Sequence, residues 1–244
     1  MITEKFLRNR RNQLTREEHA MLDAAVSEVR PLDARFTLVK EGDTLEQSTL
    51  LIEGFMCRYK DDRRGYRQLV AVHVPGDFVD LHGFPLKTLD HDVATLTAAT
   101  VALVPHDALD AIVTDHPQLG RKFWYATMLD AAMHRGWLFR LGRLDAVGRV
   151  AHFLCETSAR LAAVGLSDGR QFTVGITQAD LAEACGVTSI HINRVFRQLR
   201  EEGLCLFRSG MVELLDSKAM ARRGQFNPQY LYLADPQVGE GTAE

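Results

Sequence analysis

"ITQADLAEACGVTSIHINRVFRQLREEGL" (Ile176–Leu204) decides the reading of this chain, because a single glycine separates two helical patterns. Thr177 can cap the first pattern, with Asp180 returning the bond as its capping-box partner. Leu181, Ala182 and Cys185 form an inner face, and small Ala182 lets a second helix cross closely. Gly186 ends the pattern, since a left-handed residue at a helix C-terminus costs glycine little. Val187 plugs the turn and Thr188 caps the second pattern, whose inner face is Ile192, Val195 and Leu199. This is the grammar of a helix-turn-helix.

If those residues face in, Ser189, Ile190, His191, Asn193, Arg194, Arg197 and Arg200 face out. The exposed start of the second helix is then polar and cationic. Arg194 can offer a bidentate fork to guanine, and Asn193 can pair with adenine or hold a phosphate. Thr188 and His191 suit phosphate oxygens, helped by the helix N-terminus. Arg197 and Arg208 are placed for backbone contact rather than base reading. The competing reading is a plain helical hairpin whose arginines pair with Glu201 and Glu202. "LCLFRSGMVELL" (Leu204–Leu215) argues against it, because it alternates like a hairpin turning at Ser209-Gly210, as winged motifs require. The small polar tail "EGTAE" (Glu240–Glu244) reads as a chain end without fixed structure.

Upstream, the texture changes twice. "LTREEHAMLDAAV" reads as a first helix, with Thr15 and Glu18 forming a capping box ahead of Met21, Leu22, Ala25 and Val26. From Arg35 to about Pro105, short β-prone runs alternate with turns. Gly42, Gly54, Gly65 and Gly76 recur about every eleven or twelve residues, the rhythm of a sandwich or double-sheet roll. "DALDAIVTDHP" reads as a short helix stopped at Pro117. A long helical segment follows, with Leu119, Phe123, Ala126, Asp130, Met133, Trp137 and Leu141 in a heptad seam broken only by Asp130. We read this seam as the dimer helix. Trp124, Met128, Ala131 and Leu138 form a second apolar row, so one row can pack inward while the other crosses a dimer axis. "LDAVGRVAHFLCETSARLAAVG" reads as a further helix, and "LSDGRQFTVG" as a turn with a short strand.

Composition bounds the remainder. The 244 residues are 46% hydrophobic and 25% charged, with a net charge of −3, so the chain can bury a real core and any basic surface must be local. Cys57, Cys155, Cys185 and Cys205 are far apart, which reads as buried reduced thiols rather than a metal cluster. The start is polar and no run reaches transmembrane length, so a cytoplasmic protein without membrane contact is expected.

On these features the sequence resembles the Crp/Fnr family of bacterial transcription regulators. The likeness is most specific in Ile176–Leu204, and is also visible in "VPGDFVDLHGF" (Val74–Phe84) and in "LDAVGRVAHFL" (Leu144–Leu154). It implies an α+β chain: a β-roll like a cyclic-nucleotide-binding domain over residues 1–117, a dimerisation helix over 118–143, and a winged helix-turn-helix with a C-terminal extension over 144–244. It implies a homodimer on a two-fold-related site in double-stranded DNA, with RNA polymerase as a further partner. Ser189, Ile190, Asn193 and Arg194 match the base-reading positions, and Thr177, Thr188, His191, Arg197 and Arg208 are the candidate backbone contacts. Many members carry glutamate where Ile190 stands, so the target sequence should differ from the familiar half-sites.

The sensor end departs from the family. Cyclic-nucleotide binders carry a Gly-Glu pair and an Arg-Ser pair, which here fall at Asp80-Leu81 and near Asp90-His91. No arginine lies between Arg67 and Arg121, and the carboxylates of "LDHD" repel a cyclic phosphate. A degenerate nucleotide pocket and no cofactor are therefore expected. Haem or a metal stays an open alternative, through His73, His82, His91, His106 and His116, or through Asp80, His82, Asp90, His91 and Asp92. Two rival readings remain beside the regulator: a cupin-like metal enzyme and an interaction module that no longer binds DNA.

Overall fold

The computed structural model describes residues 1–234, so the tail Glu240–Glu244 lies outside the described residues. The chain opens with a turn-rich segment, then α1 (Arg16–Ala24), capped by Thr15 and Glu18 in a reciprocal box. Seven strands follow: β1 (Glu28–Leu32), β2 (Thr37–Val39), β3 (Gln47–Glu53), β4 (Met56–Asp61), β5 (Arg67–His73), β6 (Asp92–Thr95) and β7 (Ala99–Pro105), with the short α2 (Gly83–Leu86) between β5 and β6. They form two antiparallel sheets, ordered β1-β7-β3 and β2-β6-β4-β5. Leu51, Met56, Val79, Val93, Val101 and Leu103 fill the space between them.

Strand β1 was not legible in the sequence. It carries Pro31 and only one buried residue, Leu32, both tolerable because it sits at a sheet edge beside β7. The first fourteen residues are also more than a polar lead. Phe6 and Leu7 are buried, and the segment crosses the roll at Gly76, where an added Cβ would lie 2.5 Å from the Lys5 carbonyl oxygen. With φ at +97°, that turn suits glycine alone.

Beyond the roll come α3 (His106–Asp115), the 27-residue α4 (Pro117–Arg143) and α5 (Ala146–Ala163). The seam on α4 corrects the expectation. Leu119, Phe123 and Trp137 are buried against the chain's own core, and Ala126 and Met133 line its inner side, with Leu141 near the turn at Gly186. The seam Leu119, Phe123, Ala126, Asp130, Met133, Trp137 and Leu141 therefore packs toward the chain's own interior, with Ala126, Asp130, Met133 and Leu141 half-buried. Its polar break has a cause: Asp130 accepts from the Arg58 guanidinium on β4 at 2.6 Å. Burial pushes the Asp130 carboxyl up, but Arg58 outweighs it and holds it down at about 2. The second row stays open instead, with Trp124 67%, Met128 52% and Leu138 75% exposed.

Helix α5 is buried on nearly every side, because one apolar cluster runs without a break from the roll (Leu69, Val72) through Phe153 and Leu154 into the C-terminal unit (Leu181, Ile192, Leu199). That unit comprises β8 (Gln171–Thr173), α6 (Gln178–Cys185), α7 (Ser189–Glu201), β9 (Cys205–Arg208), β10 (Met211–Leu214) and α8 (Ser217–Arg223), with its strands ordered β8-β10-β9. A 3-10 turn at Pro228–Leu231 then brings the chain back to its start. The Arg11 amide donates to the Tyr232 carbonyl, the Ala234 amide donates to the Asn9 carbonyl, and Arg10 bridges Leu233. The two ends of the described chain are thus clasped together. All four cysteines are buried and free, and no helix is long and apolar enough to cross a membrane among the described residues.

Candidate nucleic-acid interface

Helix α6 begins as the sequence requires. Thr177 Oγ1 accepts from the Asp180 amide at 3.2 Å, and Asp180 accepts from the Thr177 amide at 2.8 Å. Gly186 ends it at φ +60°, and the Val187 amide donates to the Ala182 carbonyl at 3.0 Å. Two arginines from upstream helices fix this corner. Arg140 donates to the Ala184 carbonyl at 2.9 Å and Arg149 to the Gly186 carbonyl at 3.2 Å, cations at a helix C-terminus. Arg140 is fully buried, stacked over Trp137 at 4.1 Å.

Helix α7 is capped by Thr188, whose hydroxyl accepts from the His191 amide at 3.3 Å. Ile192, Val195 and Leu199 are buried, so the opposite flank is set by helical period. Ser189, Ile190, His191, Asn193, Arg194, Arg197 and Arg200 all lie exposed on it. Asn193 turns its amide back to the Ser189 carbonyl at 3.3 Å. Arg194, Arg197 and Arg200 have no carboxylate within 4.0 Å among the described residues. The nearby glutamate is engaged elsewhere: Glu202 accepts from Gln198 at 2.7 Å and lies 3.9 Å from Arg223. The flank is therefore a set of free cations rather than an ion-paired helix surface.

The wing stands beside it. Strands β9 and β10 turn at Ser209 (φ +49°) and Gly210 (φ +80°), two left-handed residues in succession as a tight hairpin turn needs. Phe207 of the wing stacks on Phe196 of α7 with centroids 4.4 Å apart, which fixes their separation. Gln178, Asn193, Arg197, Arg200 and Arg208 rim the groove between helix and wing. Thr177 lies exposed at the same end of α6. Arg200 and Gln178 join the candidate contacts; the spacing gave Arg200 as outward, but the place of Gln178 depends on how α6 meets the wing.

Sequence reasoning missed how this unit is held to the roll. Arg35 makes two bonds to the Asp180 carboxylate, at 2.5 and 2.6 Å, and Arg67 reaches it at 3.2 Å. Arg67 also donates to Glu183 at 2.7 Å, and Gln68 to the Glu183 carbonyl at 2.6 Å. Burial pushes the Asp180 carboxyl up, yet the bonds from Arg35 and Thr177 bring it below its ordinary value. The capping residue is thus also the anchor between roll and helix-turn-helix. Nothing in the local sequence signals a partner more than a hundred residues away.

At the sensor end the four expected pocket residues do not converge. Asp80 is fully buried and accepts from the Thr49 amide at 2.6 Å, and Leu81 is in the core. Asp90 points to solvent, 2.8 Å from His91 Nδ1. Asp92 accepts from the Glu41 amide at 2.7 Å. The His82 and His91 rings lie 5.3 Å apart, and no group of three metal-binding side chains comes together among the described residues.

Comparison with known proteins places both halves. Residues 148–223 match the model of the Crp-like helix-turn-helix domain, and residues 29–116 match that of the cyclic nucleotide-binding domain. The transcriptional activator protein Anr of Pseudomonas aeruginosa is 26% identical over 84% of this chain and 83% of its own. The anaerobic regulatory protein of Haemophilus influenzae is 24% identical over 83% and 79%. Among solved structures, FixK2 from Bradyrhizobium japonicum superposes with a TM-score of 0.73 at 22% identity, covering 80% of this chain and 96% of that one. A regulator of Thermus thermophilus superposes with a TM-score of 0.63 at 19% identity, covering 81% and 98%. These matches do not favour the cupin-like enzyme or the module without DNA binding.

Proposed function

Given that this chain belongs to the Crp/Fnr family of DNA-binding transcription regulators, we propose that α7 enters the major groove and that the chain acts as a homodimer on a two-fold-related site. The observation that carries the reading is the unpaired cationic flank of α7, with a stacked wing beside it. Ser189, Ile190, Asn193 and Arg194 face the bases; Thr177, Thr188, His191, Arg197 and Arg208 face the phosphates. Site selection from random duplexes tests it. Arg194→Ala is expected to weaken binding about tenfold and to relax one base position. Arg197→Ala is expected to weaken all sequences alike and to reduce the salt slope by about one. Unchanged site preference in Arg194→Ala overturns the docking.

The second copy is proposed to pack on the outward row of α4, Trp124, Met128, Ala131 and Leu138. Leu138→Glu combined with Met128→Glu is expected to give monomers in sedimentation at micromolar concentration, with helicity unchanged, because both side chains are exposed. RNA polymerase is the further partner. In this reading the roll does not hold a cyclic nucleotide, since no arginine stands at its phosphate position and Asp90 faces outward there.

A further inference from the structure

The segment that follows α8 is pinned to α5 by a chain of polar groups. His152 and Glu156 stand one turn apart on α5, and both are buried. His152 Nδ1 lies 2.9 Å from the Gly224 carbonyl oxygen, and its Nε2 lies 3.0 Å from the Tyr230 hydroxyl. That hydroxyl is 2.6 Å from Glu156 Oε2, and the other Glu156 oxygen accepts from Trp137 Nε1 of α4 at 3.0 Å. The Tyr230 ring also covers Gly136 of α4, where an added Cβ would come within 3.2 Å of it. The segment therefore straps α4 to α5.

Three links from Gly224 to Glu156 need three protons, and the ordinary forms of these groups supply two. A carbonyl oxygen only accepts, so the Gly224 link takes a proton on Nδ1. The Tyr230 hydroxyl brings one proton and keeps it, because burial pushes its ionisation far up. If Tyr230 donates to an ionised Glu156, Nε2 must donate to Tyr230, and the ring is an imidazolium. If Tyr230 donates to Nε2 instead, the Glu156 carboxyl must donate to Tyr230 and is itself protonated. A neutral ring beside an ionised carboxylate leaves one link with two acceptors facing each other, which buried polar groups avoid.

We propose that docking of the C-terminal segment on α5 is linked to one proton, shared along His152, Tyr230 and Glu156. Burial draws the His152 imidazolium toward neutrality, opposed by the Gly224 carbonyl and Glu156, while Arg140 of α4 acts with burial. The other cations facing the group are Arg160, 3.6 Å from Glu156 and already paired with Asp77, and Arg10 of the N-terminal segment. Phe226 adds only an apolar ring edge, 5.3 Å from His152. With the shared proton on the carboxyl both partners are neutral, so burial opposes neither, and the proton belongs to the pair. A histidine freed by lifting the segment titrates at about 6.5, and the docked pair holds its proton to higher pH. The contribution to docking is complete below about 6.5 and is lost as pH rises through the docked value. The strap is a pH-sensitive brace on the junction through which the roll meets the DNA-binding unit.

Amide hydrogen exchange of the full chain, normalised to intrinsic rates, tests this on the bonded amides of Phe226, Tyr232 and Ala234. Their protection is expected to fall about tenfold between pH 6 and pH 8. Glu156→Gln is expected to keep the low-pH protection throughout, since its amide nitrogen donates to Tyr230 while its oxygen still accepts from Trp137. Tyr230→Phe breaks two links at once and is expected to lose both the protection and its pH dependence; it decides alone if Glu156→Gln does not fold. Wild-type protection that is flat or rises with pH overturns the proposal. So does the same fall in Glu156→Gln, or an undiminished pH dependence in Tyr230→Phe.

Discussion

Asp180→Ala is expected to destabilise the fold by about 2–3 kcal/mol, because one carboxylate does three jobs. It completes the capping box of α6, whose loss costs about 1 kcal/mol. It is 1% exposed and receives Arg67, itself 26% exposed, so that half-buried pair adds about 1 kcal/mol. Arg35 is 41% exposed, and its share is small through solvent screening. Asp180→Asn separates these contributions, since it keeps an acceptor for the Thr177 amide while removing the charge; it should cost about half as much. The sign with pH follows from the depressed carboxyl. Its contribution is complete above the unfolded value of about 3.9 and is lost as pH falls through the lower folded value. Urea melts at pH 7 and pH 3 check this. Equal losses for Asp180→Ala at both pH values contradict an ionised anchor.

Asp80→Asn is expected to act in the opposite direction, stabilising the protein by about 2 kcal/mol at pH 7.5. Asp80 is wholly buried, with one oxygen accepting from the Thr49 amide and the other without a partner. Burial raises its carboxyl to about 6, against the opposing pull of the Thr49 amide and of Arg58. A raised carboxyl favours the fold fully below the unfolded value of about 3.9 and loses that contribution as pH rises through about 6. At pH 7.5 the ionised group is therefore a burden that asparagine lifts, while its carbonyl oxygen can still accept from Thr49. Near pH 4 the gain should vanish. Melting temperatures across that range decide the matter: a gain that does not depend on pH means that Asp80 titrates normally.

What could be read from the sequence was whatever depends on neighbours along the chain. The box at Thr177 and Asp180, the left-handed Gly186 and the hairpin at Ser209-Gly210 are set by residues within a few positions of one another. The inward and outward faces of α7 follow from helical period alone. The two rows on α4 were equally legible, but which row faces in was not, because periodicity carries no information about the partner. Arg58 settled that by placing a cation opposite Asp130. Long-range features were invisible for the same reason: Arg35 and Arg67 on Asp180, the edge strand with Pro31, and the N-terminal segment over Gly76. Which of the sensor residues are buried was equally hidden: Asp80 and Leu81 lie in the core, while Asp90 faces solvent, and residue type does not separate two aspartates.

The clasp between residues 9–11 and 232–234 bears on how the molecule is made. Synthesis runs from the N-terminus, and the roll and α4 can settle while later parts are still being added. Arg10 cannot meet Leu231 and Leu233 until those residues have left the ribosome. Residues 9–11 therefore emerge well over two hundred residues ahead of the partners that fasten them.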